Sequence, residues 1–158
     1  NQNVLDNIRK IFETNLNIQC LIGTTIIKKK TNNKIFRKYS PKNFKNWMLY
    51  LGVSPPHPSM FLKKKIYENI GLYNEKYQIA GDFEFYLRMF LKKKITYYVT
   101  NQIYTVMQHG GVSSNSIKSN FKSSKEILTA FKDNDLYSNQ FLIFLRFPIK
   151  LIQFILKK

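Results

Sequence analysis

The sequence predicts an α/β domain, because segments with helical and with strand-like hydrophobic periodicity alternate along the chain. Apolar residues recur every three or four positions over residues 3–14, which is typical of an amphipathic helix. Residues 18–27 form a mostly apolar run rich in β-branched side chains, which is typical of a buried strand. The 158 residues suit one domain with a sizeable core.

The next segments predict a strand and a short helix. Asn32 and Asn33 are turn-forming residues, so residues 34–39 are expected to return as a short strand. Apolar residues at helical spacing predict a helix over residues 44–51, and Gly52 is expected to end it.

Prolines and a glycine delimit the elements that follow. Residues 54–58 contain three prolines and predict a stiff, extended linker, because each proline restrains itself and its predecessor. A short strand is expected at residues 59–62. Residues 63–70 predict a short helix with Gly71 just past its end.

Another helix is expected to open at Asp82. Its predicted buried face consists of Phe83, Leu87, Phe90 and Leu91. Residues 95–99 and 103–108 predict two strands. A polar loop over residues 110–120 then leads to a helix over residues 119–132.

The last segment differs in character, so the chain is predicted to divide into residues 1–135 and a basic amphipathic helix over 136–158. Arg146, Lys150, Gln153 and Lys157 share one helical face, and nearly all other residues there are Phe, Leu or Ile. This pattern favours a helix lying in a membrane interface. An ordinary helix covering the core remains the alternative. No uninterrupted apolar run reaches the roughly 18 residues of a transmembrane span.

The charge balance narrows the classes of partner. The 26 Lys and Arg against 9 Asp and Glu give a net charge of +17, which attracts nucleic acid, anionic lipid or pyrophosphate groups. Interchangeable, solvated surface lysines explain most of the excess charge equally well. No nucleic-acid module is recognisable, so no specific nucleic acid is predicted. The single cysteine, Cys20, excludes an internal disulfide, argues against structural zinc and fits a reducing compartment. No secretory signal is visible at the N-terminus.

Residues 80–88 are the most informative stretch of the chain, because they place two carboxylates and an arginine at the start of a helix. Asp82 is either a helix N-cap or a general base facing a cleft. A helix N-terminus would keep its carboxylate ionised. Glu84 and Arg88 lie one turn apart, so the simplest expectation for them is an ion pair along the helix.

The two histidines are weaker candidates. His57 stands among three prolines that hold its backbone extended. His109 precedes Gly110 and Gly111, and these glycines would let the backbone approach a metal or a phosphate closely. For His57 an ordinary loop histidine is the commoner outcome, and His109 with its two glycines is otherwise explained as a turn after a strand. No Gly-rich dinucleotide or P-loop motif, HExxH, GxSxG or CxxC is present.

Taken together, four segments resemble the C-terminal, acceptor half of a family-2 glycosyltransferase of GT-A fold. They are residues 57–61, 63–75, 79–88 and 109–113, and the most specific part runs from Gly71 to Arg88. Gly81 stands where the family often has an acidic residue. Tyr73 and Asn74 replace its usual Phe and Asp.

The resemblance implies a partial GT-A-like, Rossmann-like subdomain that takes part in inverting sugar transfer from a nucleotide-sugar. Asp82 matches the general base. His57, Glu84 and Arg88 match acceptor-side positions. The diphosphate and metal side matches His109, Gly110 and Gly111, with His109 as a candidate metal ligand. A divalent metal, Mg or Mn, is implied for the complete enzyme.

The resemblance also implies a biological setting. The acceptor would be a saccharide or a lipid-linked sugar in surface polysaccharide or lipopolysaccharide synthesis, at the cytoplasmic face of the membrane. The family's donor-binding strands and Asp-x-Asp motif would precede residue 1, so this chain alone is expected to be inactive. The alternative is a non-catalytic basic module that binds a membrane surface or nucleic acid.

Overall fold

The computed structural model describes residues 2–110 and 117–149, and these residues fold into two compact units. Each unit is assembled from three separate stretches of the chain. The first unit contains residues 2–44, 55–71 and 94–110. The second contains residues 45–54, 72–93 and 117–149. Both helices and a mixed open sheet are present, so the predicted α/β class is confirmed.

The first unit is built on a sheet whose central strand is β1 (Cys20–Lys28). The other strands are β2 (Ile35–Tyr39), β3 (Met60–Leu62) and β4 (Tyr97–Gln108). β4 follows β1 in parallel along its whole length. β3 pairs antiparallel with the first residues of β1, and β2 pairs antiparallel with the last.

β1 is central because its sequence is apolar enough to be covered on both faces. Cys20, Leu21 and Ile22 are fully buried, and burial continues to Ile26. Burial raises the pKa of the Cys20 thiol, so this cysteine remains protonated and unreactive at neutral pH. The predicted buried strand over residues 18–27 is therefore confirmed, although it begins two residues later and ends one residue later than predicted.

β4 corrects one expectation, because the two strands predicted at 95–99 and 103–108 form a single strand. Val99 pairs with Ile22 and Thr105 pairs with Thr25, so six steps along β4 match three along β1. The extra residues form an irregularity within the strand rather than a break. A bulge of this kind depends on pairing with the neighbouring strand. The local sequence alone therefore predicted a gap between two strands.

Two helices complete the regular structure of the first unit. They are α1 (Gln2–Thr14), which buries Ile8, and α2 (Lys64–Ile70), which buries Ile66. Gly71 follows α2 with a left-handed φ of 87° and donates its N–H to the Tyr67 carbonyl, as the sequence predicts for a helix end.

The second unit is helical. It contains a 3₁₀ helix (Asn46–Leu51), α3 (Gly81–Tyr86), a π-helix (Leu87–Lys92), α4 (Ile117–Asp133) and α5 (Gln140–Phe144). Phe83, Leu87 and Phe90 are buried as predicted, and Leu91 is half-buried. α4 begins inside the loop that was expected to extend to residue 120. None of the described helices is long and apolar enough to cross a membrane.

The described part of the last segment is packed into this second unit. Ile143 and Arg146 are 1% and 3% exposed, respectively. The expectation that Arg146 belongs to an exposed basic face is therefore wrong. Its guanidinium lies against α4 instead, where Ser124 Oγ accepts a hydrogen bond at 2.9 Å and the Asn120 carbonyl accepts one at 3.2 Å. Lys150, Gln153 and Lys157 lie outside the described residues.

Candidate functional site

Asp82 lies in the first turn of α3 but does not cap it. The N-cap is Ala80, and Gly81 is the first helical residue, so the N-cap interpretation of Asp82 is wrong. The Asp82 side chain is half-buried. Within the described residues its carboxylate has no hydrogen-bond or ion-pair partner. This acid is therefore available to an incoming group, and its place at a helix start suits a negative charge.

A carboxylate from another helix binds the start of α3 instead. Glu126 of α4 accepts hydrogen bonds at its Oε2 atom from the backbone N–H groups of Ile79 and Ala80, at 2.8 and 2.9 Å. These N–H groups precede the helix and need a partner when they are partly buried. Glu126 was missed in the sequence because more than forty residues separate it from the groups that it binds.

Both carboxylate oxygens of Glu84 accept hydrogen bonds, in contrast to those of Asp82. It is 4% exposed. Arg88 donates from Nε to Oε1 and from Nη2 to Oε2, both at 2.8 Å, and the Asn134 side chain donates to Oε1 at 3.1 Å. Arg88 also donates to the Leu72 carbonyl at 2.8 Å. The ion pair expected from the spacing is confirmed, and it connects three parts of the second unit. The acceptor-binding roles of Glu84 and Arg88 remain predictions.

The α-helical winding changes to a π-helix directly after α3, between Glu84 and Arg88. Residues Leu87–Lys92 form a π-helix, and the Lys93 N–H donates to the Arg88 carbonyl five residues earlier at 2.9 Å. Such π-turns are rare and are found often at functional sites. No sequence pattern indicated this one.

A second polar cluster of the same unit surrounds Asp133 at the end of α4. Its Oδ2 atom accepts a hydrogen bond from the Tyr77 hydroxyl at 2.6 Å and binds Lys76 Nζ at 2.7 Å. Burial, followed by the bond to Asp133, raises the pKa of Tyr77. The hydrogen bonds from Lys76 and Tyr77 lower the pKa of Asp133. This cluster was also missed, because its members lie 56 and 57 residues apart.

Both histidines belong to the first unit. The expectation that the prolines hold the His57 backbone extended is wrong, because His57 begins a single 3₁₀ turn, His57–Ser59. Its side chain is half-buried. His109 directly follows β4, where its N–H donates to the Lys28 carbonyl at 2.8 Å and its ring centre lies 4.4 Å from that of Phe36. Gly110 has a left-handed φ of 113°, which a glycine adopts without strain. Gly111 lies outside the described residues.

The candidate residues are thus divided between the units. Asp82, Glu84 and Arg88 share one helical segment of the second unit, and His57 and His109 belong to the first. Over residues 2–110 and 117–149, no three His, Cys, Asp or Glu side chains lie close enough together to hold a metal ion. His109 as a metal-side residue remains a prediction.

Comparison with known proteins assigns no family. A scan against models of known protein families finds no match for this chain. A search of curated proteins finds no match either.

Proposed function

We propose that this chain supplies the acceptor side of an inverting glycosyltransferase that uses a nucleotide-sugar donor and acts in surface polysaccharide or lipopolysaccharide synthesis. The observation that carries the proposal is the contrast between two neighbouring acids. The Glu84 carboxylate accepts hydrogen bonds from Arg88 and Asn134, whereas the half-buried Asp82 carboxylate has no partner among the described residues. The order of motifs over residues 57–113 and the mixed α/β sheet support the same function.

Asp82 would act as the general base. It accepts the proton of an acceptor hydroxyl while that oxygen forms a bond to the anomeric carbon of the donor sugar. The bond from this carbon to the phosphate oxygen breaks, and the nucleoside diphosphate leaves with the electron pair. Attack opposite the leaving group inverts the anomeric configuration. The acceptor would be a saccharide or a lipid-linked sugar.

Among the described residues, no three His, Cys, Asp or Glu side chains lie together as a ready-made site for the Mg or Mn ion that the family resemblance implies. The proposed transfer is therefore written without a metal-dependent step. The donor and its diphosphate would be bound largely by a further part of the enzyme, with His109, Gly110 and Gly111 as the candidates on this chain.

The proposal is tested in a longer enzyme that carries this chain, with radiolabelled nucleotide-sugars as donors and a membrane extract as the source of acceptor. Asp82→Asn should reduce transfer by about 10²–10⁴-fold, the usual effect of losing a general base. Asp135→Asn is the control, because that side chain is 91% exposed on the same unit. Equal transfer by both variants would remove the catalytic role from Asp82.

Residues 1–158 alone should show no transfer in the same assay, since the family resemblance assigns most of the donor site to a separate part of the enzyme. Turnover by this chain alone would contradict the requirement for a separate donor-binding part.

A further inference from the structure

A groove in the second unit has no place in the proposed sugar transfer. It runs between α4 and α5 and encloses a volume of about 330 Å³. Its lining is largely apolar and includes Phe121, Leu128, Ile143, Phe144 and Phe147. A volume of this size accommodates a small apolar molecule or part of an acyl chain.

Exposed aromatic side chains lie at and beside the groove. Phe121 is 64% exposed and Phe144 is 63% exposed, and Phe141, which is 71% exposed, is adjacent on α5. The rings of Phe144 and Phe147 meet edge to face, with centres 5.7 Å apart. Exposed phenylalanines grouped around a groove indicate an interaction surface rather than a solvated face.

Charge limits what this surface can bind. Lys125 is the charged side chain in the lining, and no carboxylate lines the groove in the part of the chain that the structure describes. The acids of α4 are used elsewhere, since Glu126 binds backbone near Ala80 and Asp133 binds Lys76 and Tyr77. α5 itself has no charged residue. An apolar face with a cation and no anion matches an anionic lipid surface.

The buried Arg146 is not part of this surface. Its hydrogen bonds to Ser124 and Asn120 hold the chain after α5 against α4. Its guanidinium also lies 4.9 Å from the centre of the Phe147 ring. These contacts place the cation inward, and the Phe141 and Phe144 side chains of the preceding turn remain outside.

We propose that the α4–α5 groove is a membrane-docking surface for anionic bilayers. Phe121, Phe141 and Phe144 enter the acyl region, part of one acyl chain occupies the groove, and Lys125 meets a lipid phosphate. A second copy of the chain is a poorer occupant, because two molecules of net charge +17 repel each other while an anionic membrane attracts both. The proposal does not depend on sugar transfer.

Fluorescence of a single tryptophan tests the proposal directly on the full chain. Trp47 is replaced by Phe, and Phe144→Trp then reports from the rim of the groove. Vesicles of phosphatidylcholine and phosphatidylglycerol should shift its emission to the blue, and brominated lipids should quench it. The control is Tyr98→Trp in the same background, since Tyr98 lies on β4 of the first unit and is 44% exposed. Its emission should remain unquenched.

Sedimentation with the same vesicles measures the contribution of each group. Phe121→Ser combined with Phe144→Ser should weaken partitioning by about tenfold or more, because two apolar side chains no longer enter the bilayer. Leu5→Ser combined with Leu16→Ser is the matched control, with side chains 62% and 76% exposed on the first unit, and should change little. Lys125→Gln should weaken binding about fivefold on anionic vesicles and not on neutral ones.

Several results would overturn the proposal. One is an absence of quenching at position 144, and another is equal quenching at positions 98 and 144. A third is emission from position 144 that is already blue-shifted without vesicles and unchanged by them, which would mean that the chain or a second copy fills the groove. Ultracentrifugation would then separate these two occupants. If the double serine variant fails to fold by circular dichroism, the tryptophan variants alone decide the question.

Discussion

Arg88 binds both carboxylate oxygens of Glu84, one helical turn earlier, through two hydrogen bonds of 2.8 Å each. The Asn134 side chain donates a further hydrogen bond to Glu84 Oε1, and the glutamate is almost completely shielded from water. A bidentate pair of this kind is geometrically specific and is costly to break in a buried place. Two acids only two residues apart therefore have opposite environments: Glu84 is buried and paired, whereas Asp82 is half-buried and has no partner among the described residues.

Removing the buried acid should destabilise the fold, whereas removing its neighbour should not. We expect Glu84→Ala to lower the free energy of unfolding by about 3 kcal/mol, because Arg88 is left without its partner. Asp82→Ala should change it by less than about 0.5 kcal/mol. Urea unfolding followed by circular dichroism measures both. A larger loss for Asp82→Ala than for Glu84→Ala would contradict the roles assigned to them.

The contact between α4 and the residues that precede α3 can be tested at Glu126. Glu126→Ala leaves the N–H groups of Ile79 and Ala80 without their acceptor, so we expect a loss of about 2 kcal/mol in the free energy of unfolding. Glu13→Ala serves as the control, since Glu13 is exposed in α1. Equal stability of the two variants would show that water replaces the carboxylate without cost.

The irregularity between β1 and β4 predicts a steric requirement at Gly23. A Cβ atom at this position would overlap the ring of Tyr104, so Gly23→Ala should cost about 1–3 kcal/mol. At Gly81 the nearest atom to an added Cβ is Tyr77 Cβ at 3.8 Å, an ordinary contact. Gly81→Ala should therefore be neutral or stabilising by up to about 1 kcal/mol. Thermal unfolding compares the two, and a neutral Gly23→Ala variant would mean that Tyr104 moves aside freely.

The raised pKa of Tyr77 predicts how stability depends on pH in alkali. The folded protein holds the phenolic proton more tightly than the unfolded chain, whose tyrosine titrates near the ordinary value of 10.0. This contribution to stability is complete below that pH and is lost as the pH rises from there through the folded-state pKa. Urea midpoints measured across this range should fall more steeply for the natural chain than for Tyr77→Phe.

The control for this pH series is Tyr137→Phe, because Tyr137 is 75% exposed. It should follow the natural chain at every pH. Parallel curves for Tyr77→Phe and the natural chain would show that the hydrogen bond from Tyr77 to Asp133 does not control alkaline unfolding.

Hydrophobic period and turn-forming residues were sufficient to predict most helices and strands. The amphipathic pattern predicted α1, the apolar run predicted β1, and Gly71 marked the end of α2. The spacing of Glu84 and Arg88 predicted their ion pair, because residues four apart on a helix are neighbours whatever surrounds them. These features depend on contacts within one turn or one strand, which the local sequence contains.

The sequence by itself therefore determined the α/β class, most element positions and the local pairing of Glu84 with Arg88. Only the tertiary structure decided the division into two units, the continuity of β4 through its bulge and the bond from Glu126 to Ala80. It also decided that Arg146 is buried and that phenylalanines form the outer face of α5. The reason is physical: each of these outcomes depends on a partner many residues away, and no local pattern specifies which distant group will arrive to satisfy a backbone N–H, a guanidinium or an apolar side chain.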